Sequence, residues 1–270
     1  MSYVLEDEKE FERLERQSKT RLYDPERELE GVDFSEARRL LDAGSGSGIV
    51  SRLLARRYPK AEVVGVEQSE LRVKRAQKEG VGLENLHHRA GSITALPEAS
   101  NTFDGAVCRF VLEHMSKDLA RTALREILRC LRPGGELVAI DIDGIFHNLY
   151  PRTERVQGFL DRLQGFPDLD LQIGRKLPSW MVEAGFENVS WRIDTMEIRD
   201  DSLDVEAKLI EERFSQTLPT MAALLGSENE ARAFQADFLQ TLRQPGAVLF
   251  YSKFIVRGRK GSLRLLNSRS

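Results

Sequence analysis

The stretch Leu-Leu-Asp-Ala-Gly-Ser-Gly-Ser-Gly, Leu40 to Gly48, ends in three glycines at alternate positions. Glycines so spaced let a backbone pass close to something that a Cβ would block. That partner is a phosphate, a dinucleotide, another ligand or a neighbouring helix. A phosphate-cradling P-loop needs Lys and Ser or Thr after its last glycine, whereas Ile49 and Val50 stand there. A dinucleotide turn needs G-x-G-x-x-G; counted from Gly44 the sixth residue is Ile49, and counted from Gly46 it is Ser51. Both fit poorly. Further along, His114, Asp141, Asp143 and His147 follow two apolar runs. Imidazoles and carboxylates at such places are candidates for taking up a proton. His87 and His88 are neighbours on an extended segment, point opposite ways and make no joint metal site. Cys108 and Cys130 are the only cysteines, too few for a disulfide framework or a four-thiolate zinc site. No metal is expected.

These residues need elements to hold them. "RRLLDAG" reads as a short buried strand, "IVSRLLARRY" as a helix and "AEVVGVE" as the next strand. "SELRVKRAQKEG" reads as a helix with Ser69 as N-cap and Gly80 as its stop. "NLHHRAGSI" and "FDGAVCRF" read as a third and fourth strand. In "KDLARTALREILRCLRPGG", Leu124, Ile127, Leu128 and Leu131 fall at helical spacing, with Pro133 and Gly134 ending the helix. "ELVAIDID" reads as a fifth strand. Strands alternating with helices predict a parallel sheet covered on both faces. Beyond about residue 150 the pattern loosens. "RKLPSWMVEAG" reads as a helix, "FENVSWRIDTMEI" and "GAVLFYSKFIVRG" as strands. The roughly 45 residues between those strands carry helical spacing and read as two or three inserted helices, a cap over the sheet edge.

Composition sets outer limits. Apolar residues make up 41% and charged residues 31% of 270 residues, the balance of a soluble globular enzyme. The net charge of −3 gives no general attraction to nucleic acid. No apolar run approaches the roughly 20 residues that span a bilayer, and the N-terminus lacks the basic start of a signal peptide. A cytoplasmic protein, with no membrane partner, is the expectation. The last segment, "VRGRKGSLRLLNSRS", is basic and reads as a solvated tail.

In that order and at familiar intervals, "LLDAGSGSG", "VVGVEQSE", "FDGAVCRFVLEHM" and "LRPGGELVAIDID" resemble the class I S-adenosylmethionine-dependent methyltransferases. "GRKLPSWMVEAGFENV" is similar to that family's penultimate helix and strand. The resemblance implies a Rossmann-like α/β fold: a seven-stranded, mostly parallel sheet with an antiparallel last strand, helices on both faces and a helical cap before the last strand. Divided accordingly, 1–37 is an N-terminal helical segment, 38–198 with 246–258 the cofactor-binding core, 199–245 the cap and 259–270 the basic tail. The implied cofactor is S-adenosylmethionine, leaving as S-adenosylhomocysteine. It has no phosphate, so its turn needs close backbone approach, which Gly44, Gly46 and Gly48 supply with Asp42 and Ser45. Glu67 at the end of the second strand would accept hydrogen bonds from the ribose hydroxyls, with Gln68 at the adenosine edge. Ser92 stands where the family often has an acidic residue, and with Ile93 it is expected at the adenine. Arg109 and Phe110 open onto the methionine part, where Arg109 orders the loop or meets a carboxylate. "ERLERQ" resembles the N-terminal helix of a subset of the family, which implies that Gln17 and Tyr23 close over the cofactor.

The expected activity is methyl transfer to a nitrogen or oxygen nucleophile of a small molecule by in-line displacement. The alternatives are a protein or RNA methyltransferase and a catalytically silent binding module. His114 is the leading base, with Asp143, His147 and Phe214 expected to face the substrate. Cys108 reads as a packed residue. The chain is expected to act as a monomer or homodimer, with no nucleic acid partner.

Overall fold

The computed structural model describes residues 8–20, 23–163, 169–199 and 201–262. Its strands are β1 (Arg39–Ala43), β2 (Glu62–Glu67), β3 (Leu86–Ala90), β4 (Phe103–Arg109), β5 (Leu131–Asp143), β6 (Leu149–Tyr150), β7 (Phe186–Ile198) and β8 (Val248–Lys260). Its α-helices are α1 (Glu8–Ser18), α2 (Pro25–Glu28), α3 (Ile49–Arg57), α4 (Glu70–Glu79), α5 (Lys117–Cys130), α6 (Glu154–Leu163), α7 (Leu177–Ala184), α8 (Asp201–Gln216), α9 (Leu218–Leu225) and α10 (Glu228–Leu242). The sheet runs β3-β2-β1-β4-β5-β8, with β7 on the far side of β8. The first five strands are parallel. β8 is antiparallel to both its long neighbours. This is the Rossmann-like α/β architecture expected from the alternation of elements.

Successive apolar residues explain why both faces are covered. Leu40, Val63, Val107 and Val138 point to the side packed by Leu54 of α3 and by Phe34. Leu41, Val64 and Ala106 point to the other, packed by Leu124 and Ile127 of α5 and Met181 of α7. Side chains alternate across a strand, so a fully buried strand must be apolar at consecutive positions.

Two differences from the sequence expectation have physical causes. The sheet has an eighth, two-residue strand among the described residues. β6 pairs Leu149 with Leu249 on the flank that β5 leaves free beyond Asp143. The helix expected to reach Pro133 ends at Cys130, and Leu131 already pairs with Phe103 as part of β5. Leu131 is extended at φ −69°, ψ 145°, as a residue two before proline permits, and the irregular register between Phe103 and Gly105 absorbs the Arg-Pro-Gly-Gly stretch.

Helices α8, α9 and α10 lie between β7 and β8. They pack with α6 around a cluster that includes Phe146, Phe159, Phe214, Phe234 and Phe238. The Phe159 and Phe234 rings are 4.1 Å apart, and Phe146 meets Phe238 edge-on at 5.4 Å. No helix among the described residues is long and apolar enough to cross a membrane. Of the expected basic tail, Arg259 and Lys260 belong to β8, and 263–270 lie outside the described residues.

Candidate functional site

β1 runs directly into the glycine turn. The Gly44 and Ser45 amides both donate to the Val66 carbonyl, at 2.9 and 3.0 Å, which pins the turn to β2. Gly46 adopts φ +53°, and only Arg72 Nη1, at 3.9 Å, lies near the place its Cβ would take. Its backbone therefore borders open space. Gly48, at φ +80°, begins α3, and a Cβ there would meet His88 Cε1 at 2.9 Å and Ala76 Cβ at 3.0 Å. The glycines divide the work: Gly46 faces a cavity, whereas Gly48 lets α3 start close to β3 and α4.

Glu67 is held from two sides. Its Oε2 accepts the Gly46 amide and its Oε1 the Ser69 amide, each at 2.9 Å. One carboxylate thus fixes the glycine turn and the start of α4, with remaining lone pairs for a ligand. Asp42 lies behind the turn, fully buried, and accepts the Ser51 hydroxyl. Burial pushes its carboxyl up to about 6. Ser45 Oγ is buried with no hydrogen-bond partner among the described residues. These groups fit the adenosyl cofactor implied above: a fixed carboxylate for a diol, an unused hydroxyl and a turn that admits close approach without cationic cradling.

A cavity of about 860 Å³ opens from this turn. On the cofactor side it is lined by Asp42, Gly44, Ser45, Gly46, Glu67, Gln68, Ser92 and Ile93. Ser92 Oγ lies 2.8 Å from Thr94 Oγ1, and Ile93 is buried. Gln17, Tyr23, Arg109, Phe110, His114 and Phe214 also line it. Gly48, Asp143 and His147 do not. The Asp143 carboxylate instead accepts the backbone N–H and Nε of Arg175, both at 2.9 Å. His147 Nδ1 lies 3.0 Å from the Ile145 carbonyl. Both side chains are tied to the chain beside β5 rather than turned to the cavity.

The N-terminal helix forms one wall. Arg13 Nη1 donates to Gln17 Oε1 at 3.0 Å, and both residues are buried. Arg52 of α3 bridges α1 to the turn, reaching Glu15 and the Ser47 carbonyl. Arg109 leaves β4 toward this segment: its Nε and Nη2 go to Glu28 and its Nη2 to the Tyr23 carbonyl at 2.7 Å. Its guanidinium stacks 4.2 Å over Phe110, which holds a left-handed φ of 54°. Arg109 therefore orders the N-terminal segment, through an acid of this chain. Cys108 is buried and burial raises its thiol well above the usual range, as befits a packing residue.

Four neighbours of the site, Glu113, Glu28, Glu206 and Arg213, escaped the sequence reading. Glu113 lines the cavity, and its Oε1 is 3.3 Å from His114 Nε2. Asp141, beneath them, accepts the Leu112 and Glu113 amides, and burial first and Glu113 second hold its carboxyl above the usual range. Glu28 anchors Arg109 and Lys253. Glu206 and Arg213 project from α8, with Glu206 accepting the Tyr251 hydroxyl. Glu113 stands beside a residue already singled out, Glu206 and Arg213 are charged positions in a segment read as helix for its apolar spacing, and Glu28 lies in a four-residue helix with no such spacing.

Residues 40–135 match the profile of a methyltransferase domain family. An uncharacterised methyltransferase of Schizosaccharomyces pombe is 30% identical over 164 residues, covering 56% of this chain and 58% of that protein. A ubiquinone/menaquinone biosynthesis C-methyltransferase of Syntrophotalea carbinolica is 35% identical over 106 residues, covering 39% and 44%. The chain thus spans about half the length of these relatives. Phosphoethanolamine N-methyltransferase 2 of Haemonchus contortus, solved with phosphomonomethylethanolamine and S-adenosylhomocysteine, shares the fold at TM-score 0.55 and 16% identity, over 87% of this chain and 51% of that one. The matched segment contains the glycine turn, Glu67 and the Glu113–His114 pair, the parts of the cavity just described, and the strand order carries the same architecture to the C-terminal end. Over residues 40–135 the chain is similar to the methyltransferase domain family, and it shares the fold of solved S-adenosylmethionine-dependent methyltransferases.

Proposed function

We propose that the protein transfers a methyl group from S-adenosylmethionine to a nucleophile of a small molecule by in-line displacement. The observation that carries this reading is the continuity of one cavity from Gly46 and Glu67 to Phe214 and Met221 of the cap, past Glu113 and His114. Its volume of about 860 Å³ lies toward the upper end of small-ligand sites, roughly 300–1,000 Å³. That suits a cofactor with a compact acceptor better than a polymer segment.

When bound, the cofactor supplies a sulfonium-activated methyl group. The chain's own residues then have three tasks. Glu67, fixed by two amides, orients the nucleoside end. The cap and α1 exclude water and align the acceptor, which removes much of the entropic barrier. Glu113 and His114 stand ready to take a proton from the accepting atom. Nitrogen or oxygen is the expected accepting atom; a relative named as a C-methyltransferase adds an acidic carbon, and an oxygen or carbon acid needs such a base.

Calorimetric titration with S-adenosylhomocysteine, and with NADH in a parallel cell, tests the first half. Binding of the former alone is expected, and binding of NADH alone overturns the reading. A screen of small acceptors for methyl transfer tests the second half; turnover only on protein or RNA would replace the small-molecule assignment.

A further inference from the structure

The cap holds a cation that its surroundings leave uncommitted. Arg213 lies on α8, seven residues after Glu206 and so on the same helical face. It lines the cavity. Among the described residues, no hydrogen bond or ion pair takes up its guanidinium. Burial works against its charge, but Tyr23, Tyr251, Glu206 and Glu113, acting through space, together outweigh burial and hold it in the charged form. Neither acid makes contact. Glu206 is engaged by the hydroxyls of Tyr251 and Tyr23, the latter at 3.2 Å, and Glu113 pairs with His114. The other arginines of the wall are occupied: Arg109 by Glu28, Arg13 by Gln17, and Arg72 likewise has a partner.

Half-buried and held in the charged form, the guanidinium keeps unused N–H donors, and an anionic acceptor that reached them would gain charge-assisted hydrogen bonds. Phe146, Phe159, Phe214, Met221 and Leu224 face the same cavity, with Thr217 and Thr220 among them on the cap side. A cationic acceptor beside the guanidinium would be repelled by it, and a neutral hydrocarbon would leave its N–H donors unused.

We propose that this end of the cavity receives an acceptor carrying an anionic oxygen on an apolar body, the oxygen meeting the Arg213 guanidinium and the body lying against Phe146, Phe159, Phe214 and Met221. The proposal rests on the reading of the cavity as a place for cofactor and acceptor together. Carboxylates and acidic phenols or enols share the required chemistry. The planar fork of arginine suits either, a carboxylate through two parallel bonds.

The test uses the full chain saturated with S-adenosylhomocysteine and three probes of one shape: 2-naphthoate, 2-naphthol and 2-naphthylmethylammonium, titrated calorimetrically. The naphthoate or the naphthol is expected to bind at least about tenfold more tightly than the ammonium. Preference between those two identifies the oxygen acid, and it supports the proposal where the favoured probe also loses affinity in Arg213→Met. Arg213→Met should weaken the favoured probe by at least about tenfold and Arg213→Lys by less, with S-adenosylhomocysteine affinity within about threefold of the parent in both. The retained cofactor affinity shows that the variants fold. Equal or tighter binding of the ammonium, binding of none of the probes, or unchanged probe affinity in Arg213→Met overturns the proposal. Loss of S-adenosylhomocysteine affinity in Arg213→Met while the probe still binds would overturn it too, by assigning the guanidinium to the cofactor. Failure of the parent protein to bind S-adenosylhomocysteine removes the underlying reading instead, and this proposal falls with it.

Discussion

Glu28 and Arg109 meet at the edge of the cavity, the carboxylate fully buried and the guanidinium giving it both Nε and Nη2. Lys253, from the antiparallel strand β8, donates to the same carboxylate at 3.0 Å and also faces Asp194 at 3.1 Å. One acid of the N-terminal segment therefore joins the end of β4 to the middle of β8, two strands that are distant in sequence. Arg109 also holds the Tyr23 carbonyl, so the wall contributed by Tyr23 depends on the same anchor.

Glu28→Ala is expected to destabilise the fold by about 3–5 kcal/mol, the range for removing one partner of a buried ionic network. Two cations lose their buried acid, and Arg109 is freed from α2. Chemical denaturation measures the loss. A change below about 1 kcal/mol, the scale of an exposed pair, would show that the network is not a structural anchor.

Glu67→Ala removes the acceptor of the Gly46 and Ser69 amides and the expected partner of the ribose. S-adenosylhomocysteine affinity should fall by more than about tenfold, because charge-assisted hydrogen bonds are lost in a partly buried place. Glu67→Gln, which retains one acceptor, should fall between. Unchanged calorimetric affinity in Glu67→Ala would put the nucleoside elsewhere.

The core was legible because its signals are local. Continuous apolar runs such as Val63 to Val66 name buried strands, and Ser69 caps α4 through the Arg72 amide as its residue type foretold. α6 was missed although Val156, Phe159, Leu160 and Leu163 have helical spacing and are all buried. Short spacing signals lose definition where flanking strands no longer frame them. The partners of Arg109 were invisible for a different reason. Glu28 lies 81 residues away, and nothing in a four-residue helix of Pro-Glu-Arg-Glu marks which acid turns inward. Asp143 and His147 were plausible by position after β5, yet Arg175 and the Ile145 carbonyl take them up, and such commitments are tertiary.

His88 predicts a pH dependence. It is buried under Gly48 and Gly65, both ring nitrogens lack a partner among the described residues, and burial first, then the Arg52 and His87 charges, push its pKa from 6.5 down to about 4. Between those values the unfolded chain binds a proton that the folded chain refuses. His88 therefore costs stability as pH falls through that window, by at most about 1.4 kcal/mol per pH unit. Asp42 works in the opposite sense: its folded pKa of about 6 exceeds the ordinary 3.8, so its contribution to stability rises as pH falls. Comparing the parent with His88→Met cancels the Asp42 part. The variant should gain stability relative to the parent from pH 7 to 4.5. Parallel denaturation curves across that range would mean that His88 is protonated in the fold.

Glu113 and His114 should separate by role. Glu113 is buried beside His114 at 3.3 Å, whereas the His114 side chain is 36% exposed. If the pair takes the proton, Glu113→Gln keeps the shape, removes the charge that orients and supports the imidazole, and should lower kcat on an oxygen or carbon acceptor by about 10²–10⁴ with S-adenosylhomocysteine affinity nearly unchanged. His114→Ala should lower kcat on the same acceptor. A nitrogen acceptor with a free lone pair needs no base, so both variants should keep most of their turnover on an amine. Equal loss on all three acceptor types would show that the pair shapes the cavity without moving a proton, and alignment behind the methyl group would then account for the rate.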